Sequence, residues 1–130
     1  ELPNRIQEDL LSGDYDSVVS KSRLLVEETC IYILEQMKID YIKNGDVKVL
    51  REECKKALGM KQCSQWDKRI NDMVSGLNKI IDSVGDMRNS NSDAHGVGSE
   101  RIEIKDREAK LVANAIVALC EYFLDVYNSK

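Results

Sequence analysis

Ile70, Met73, Leu77, Ile80, Val84 and Met87 follow one another at steps of three, four, three, four and three. An α-helix turns once in 3.6 residues, so this spacing lines the six side chains along one face, whereas a strand would scatter them over both. A helix with such a stripe must lie lengthwise against other helices. A second register, Val74, Ile81 and Arg88, runs beside it at steps of seven, so an arginine stands where the apolar line would continue.

The helical period extends through most of the chain and strand-like alternation is nearly absent, which predicts an all-α fold, an up-and-down bundle of about five helices. A first helix is expected over about residues 3 to 12, closed by Gly13. The second runs from "GDYDSVV" to "KIDYI", with Val18, Leu25, Ile31, Leu34 and Met37 inward. The third starts at an Asp46 cap, runs to about Leu58 and stops at Gly59. The fourth carries the stripe, with Ser64 and Asp67 as capping residues. Beyond Arg88, Asn, Ser, Asp and Gly dominate up to Ser99, a composition that favours turns. "RIEIK" reads as briefly extended. A last helix is expected from Asp106 as N-cap, with Leu111, Ala115, Ile116, Leu119, Phe123 and Val126 for the core. A chain of 130 residues, 42% hydrophobic with one proline, suits a single domain over 1–130. Its start at Glu1 rather than methionine fits a piece of a longer chain.

A formal charge of -4 argues against a broad basic surface, because non-specific affinity for nucleic acid comes from neutralising phosphates. Any such contact should be local. Cys30, Cys54, Cys63 and Cys120 form no CxxC pair, and one histidine does not complete a zinc set, so the expectation is buried reduced thiols and neither metal nor cofactor. No apolar run approaches the length of a membrane span and "ELPNRIQEDL" lacks the regions of a signal peptide, so a soluble, cytoplasmic protein is expected. The charge runs "REECKK" and "KDREAK" read as solvated helix faces with pairs four residues apart. Trp66 and Tyr122 read as packing residues, and Gly96 and Gly98 as turn residues.

The chemistry-bearing stretch is "MRNSNSDAHGVG", in which Arg88 precedes the sole histidine, His95. A guanidinium holds phosphate oxygens through paired hydrogen bonds and favours the charge of a pentavalent transition state. An imidazole titrates near neutrality, so it can take a proton from a ribose 2'-hydroxyl or give one to the leaving oxygen. Together they suffice to cleave RNA without a metal. The bland alternative pairs Arg88 with Asp86 or Asp93 at the surface and leaves His95 in a solvated loop.

"MRNSNSDAHGVG" followed by "REAKLVANAIVALCEYFLD" resembles the C-terminal domain of bacterial abortive-infection proteins, within the HEPN superfamily of helical domains. "GDYDSVVSKSRLLVEETCIYIL" and "DVKVLREECKKALGM" are similar to that family's earlier helices, so the resemblance covers nearly the whole chain. It implies an Arg, often followed by Asn, with four to six residues before a His, and a metal-independent endoribonuclease of phage defence or toxin–antitoxin systems. Here these are Arg88, Asn89 and His95, at the long end of that spacing. The resemblance also implies a supporting acid on the second helix, Glu27 in "LVEETC" with Glu28 as the adjacent alternative; either can equally be a solvated carboxylate.

In-line cleavage works best with both a base and an acid, and each chain offers one histidine; two chains about a two-fold axis would supply both. The resemblance likewise implies a homodimer with facing motifs, and leaves room for an antitoxin or a larger defence protein as partner. The runner-up is a non-catalytic dimerisation or RNA-binding module.

Overall fold

The computed structural model describes residues 2–42, 46–60, 68–89 and 103–130, with 85 and 87–89 by backbone only. Among them five helices form a bundle: α1 (Leu2–Ser12), α2 (Tyr15–Gln36), α3 (Val47–Ala57), α4 (Lys68–Asn89) and α5 (Asp106–Asn128). The all-α expectation holds, and no helix among the described residues is long and apolar enough to cross a membrane. The two central helices are α2 and α5, which pack on each other most extensively; α1 lies on both, α3 on α2, and α4 chiefly on α5. Small residues allow that central approach: Ser22, Thr29 and Cys30 on α2, and Ala109, Ala113 and Ala115 on α5, are all buried. Phe123, Ile116, Leu119, Ile33 and Leu34 fill the space between the helices, each contributing roughly 1.5–3 kcal/mol by leaving water.

Three helix ends share one device. After α1, α2 and α3 the chain turns through a left-handed residue, and its amide and the next one bond back to the last turn. At α1 this residue is Gly13 (φ 82°), with Asp14 N–H donating to the Asp9 carbonyl. At α3 it is Gly59 (φ 77°), with Met60 N–H donating to Lys55. Both glycine stops were legible. At α2 it is Lys38 (φ 58°), with Ile39 N–H donating to Leu34 at 2.9 Å, so α2 ends at Gln36 and not near Ile42. Asp46 caps α3 as expected, its Oδ1 accepting from Lys48 N–H. The expected caps Ser64 and Asp67 lie outside the described residues. At α5 the cap position is Lys105, in extended geometry, which makes Asp106 the first helical residue rather than the cap. Of "RIEIK", residues 103–105 are described and form no regular structure, and Ile104 is buried.

The registers sort differently from the simplest expectation. On α4 the core takes Val74, Ile81 and Val84, while Ile70 and Met73 are exposed and Leu77 and Ile80 half-buried. The inward side of α4 thus carries Val74 and Ile81 of the second register together with Val84 of the first. Leu111, expected in the core, is 52% exposed, since Val112 and Ala113 take the inward positions of that turn. On α2, Val18 and Leu34 are buried as expected, whereas Leu25, Ile31 and Met37 pack only against the rim of the core. On α5, Ala115, Ile116, Leu119 and Phe123 are buried and Val126 lies at the rim.

Candidate functional site

Arg88 and Asn89 are the last two residues of α4. Seven residues, about two turns, bring the Arg88 backbone back to the side of the helix occupied by Ile81, roughly 10 Å further along. The apolar line through Val74 and Ile81 thus ends in an arginine in the fold as in the sequence. The side chains of Arg88 and Asn89, and all of His95, lie outside the described residues. The fold therefore places the start of the motif by backbone, at the end of α4.

Beside this end of α4 lies a cavity of about 130 Å³ between α2, α3 and α4. Its walls carry three cations, Arg23, Lys48 and Arg51, and three acids, Asp46, Asp82 and Asp86, with Val26 and Ile81 as apolar floor. Glu27 follows Val26 on α2, one turn from Arg23, and is half-buried. Glu28 is exposed and borders a different groove with Leu25, Tyr32 and Leu124. Arg23 and Val26 from α2 and Ile81, Asp82 and Asp86 from α4 border the same space.

Arg51 was read as part of a solvated face in "REECKK", and the fold corrects this. It is 5% exposed. Its Nη2 donates to both oxygens of Asp82, at 2.9 and 3.0 Å, and its Nη1 to the Asn78 carbonyl oxygen at 3.1 Å. A permanently charged group tolerates burial only with its donors met, and the planar fork of arginine meets a carboxylate and an amide at once. In the rest of the segment Glu52 and Lys56 are exposed, whereas Glu53 and Lys55 are half-buried, Lys55 pairing with Glu52 three residues before it; in "KDREAK" Lys110 pairs with Asp106 four residues before it, as expected. The signal for Arg51 was on α4: Asn78 and Asp82, four apart, form a polar line flanking Val74 and Ile81.

The cysteines bear out their reading where they are described. Cys30, Cys54 and Cys120 are free and buried, and Cys63 lies outside the described residues, as does Trp66. The hydrogen bond with Cys54, together with burial, pushes the Cys30 thiol far above its ordinary value. Burial pushes Cys120 up to about 11. Tyr122 is half-buried against the core and its phenol is likewise raised by burial. These groups are inert packing elements at neutral pH.

Comparison with curated proteins and with solved structures returns no match. A family model does match, that of the Abi_C HEPN-like domain, over residues 3–127. That span takes in all five helices, the buried Arg51 network and the Arg88 to His95 stretch. The chain belongs to the HEPN-like domain family Abi_C, which is linked to abortive infection.

Proposed function

We propose that the chain is a metal-independent endoribonuclease, acting in phage defence or a toxin–antitoxin-like stress response. The observation that carries this reading is the position of Arg88 and Asn89, which close α4 of an HEPN-like domain seven residues before its one histidine. Arg88 binds the non-bridging phosphate oxygens and favours their growing charge. The ribose 2'-oxygen attacks phosphorus as its proton leaves to an imidazole, and the 5'-oxygen departs with a proton returned to it. The products are a 2',3'-cyclic phosphate and a 5'-hydroxyl. Asn89 contacts the RNA or holds the loop, and Glu27 orients the guanidinium.

One histidine per chain supports a homodimer, in which His95 of one copy serves as base and that of the other as acid. The exposed flank of α4 at Ile70 and Met73 offers apolar surface for such pairing. An antitoxin or a larger defence protein would act as regulator. Pooled cellular RNA incubated in EDTA with the wild type and with His95→Ala tests the reading. Cleavage by the wild type alone, leaving cyclic phosphate ends, is expected; equal cleavage by both removes His95 from the chemistry. A chain that binds RNA, or dimerises, but never cuts it is the non-catalytic module instead, a reading the net charge of -4 favours by limiting the basic surface.

A further inference from the structure

The Arg51 side chain joins α3 to α4. Among the described residues no Cα of α3 comes within 8 Å of a Cα of α4, and the cavity lies in the gap between them. Across that gap the guanidinium reaches Asn78 and Asp82. On the opposite flank of α4, Met73 is exposed and Ile80 only half-buried. Val74, Ile81 and Val84 fix how deeply α4 sits, but apolar side chains are non-directional and resist rotation weakly. Asp82 stands about 100° round the helix from Ile81, so a pair made there resists turning about the axis.

We propose that Arg51 is a positioning residue for the candidate site: it sets the rotation of the closing turns of α4, and through them where the backbone of Arg88 stands. Asp82 precedes Arg88 by six residues, about 9 Å along the helix. A rotation of roughly 10° moves a group held about 6 Å from the axis by about 1 Å, a misplacement that can cost up to a hundredfold in rate. This inference rests on the ribonuclease reading for its catalytic consequence, and on the geometry alone for the clamp.

Two readouts separate those layers. In steady-state cleavage of an RNA substrate by the folded protein, Arg51→Met lowers kcat about tenfold and leaves KM within about twofold. Arg51→Lys, which keeps the charge without the fork, recovers part of the loss, and adding Asp82→Asn to Arg51→Met costs little more because the pair acts as a unit. In hydrogen exchange, Arg51→Met speeds the amides of residues 83–89 and leaves those of 112–120 on α5 unchanged. An unchanged kcat in the folded variant, or a raised KM at constant kcat, overturns the positioning role; unchanged exchange at 83–89 overturns the clamp. Should Arg51→Met fail to fold, Arg51→Lys and Asp82→Asn are measured in the same way, with smaller losses expected. A wild type that cuts no RNA retires the ribonuclease reading and with it the catalytic role, and the exchange measurement then decides the clamp by itself.

Discussion

Lys38 occupies at the end of α2 the backbone position that Gly59 occupies at the end of α3, with φ of 58° against 77° and the same pair of amides bonded back to the last turn. The left-handed region brings Cβ against the following carbonyl, at a cost of roughly 1–2 kcal/mol for a residue with a side chain. Glycine avoids that cost but loses more chain entropy on folding, so Lys38→Gly should stabilise by about 0.5–1 kcal/mol. Gly59→Ala should destabilise by about 1 kcal/mol. There the space is open, with the Lys130 Nζ 3.9 Å from a built Cβ, so the loss would come from φ alone. Urea midpoints of the two variants check both signs, and a stabilised Gly59→Ala would contradict the account.

The Asp9 carboxylate joins α1 to α2. It accepts from Lys21 Nζ at 2.7 Å and Ser17 Oγ at 2.6 Å, and these bonds hold it below the usual carboxylate value of 3.8. A carboxyl lowered in the fold adds stability above its unfolded value, and that contribution disappears as the pH falls through the folded one. The difference between the wild type and Asp9→Asn is therefore full at pH 7 and shrinks below 3.8. Denaturant titrations at neutral and strongly acidic pH measure it; a gap that does not shrink on acidification would mean that the Asp9 charge adds no stability.

Cys30, Cys54 and Cys120 are buried, and the raised values of Cys30 and Cys120 keep both protonated near neutrality. In a Cys63→Ser background, an aromatic disulfide reagent at pH 8 should label the folded protein only as fast as it unfolds, and all three thiols at once in denaturant. Stoichiometric labelling within seconds, without loss of helical signal, would show that the core around α2 opens freely.

What the letters revealed depended on whether the cause was local. Gly13 and Gly59 announce their helix ends because glycine suits the left-handed turn, whereas Lys38 makes the same turn without announcing it. The period of α4 was plain, but the choice between the Met73 flank and the Ile81 flank belongs to its neighbours. Arg51 looked like surface charge because its partners lie 27 and 31 residues away, on a helix whose side had first to be known. At the site, the letters supply Arg88, Asn89 and His95 and the fold supplies the helix end that carries the first two. Nothing in the letters separates Glu27 from Glu28; in the fold Glu27 is half-buried and Glu28 is exposed beside Tyr32 and Leu124.

The two registers of α4 differ in what they hold together, and truncation separates them. Ile81 is 4% exposed against the core, so Ile81→Ala removes buried methylenes and leaves a cavity, costing about 2–4 kcal/mol. Met73 is 59% exposed, so Met73→Ala should stay within about 0.5 kcal/mol in the monomer. Thermal denaturation at two protein concentrations a hundredfold apart makes the comparison. If Met73→Ala matches the wild type at low concentration but loses stability relative to it at high concentration, a second copy covers that flank, since only association makes stability depend on concentration. Equal losses for the two variants at both concentrations would mean that the outer register belongs to the core and that α4 is turned the other way.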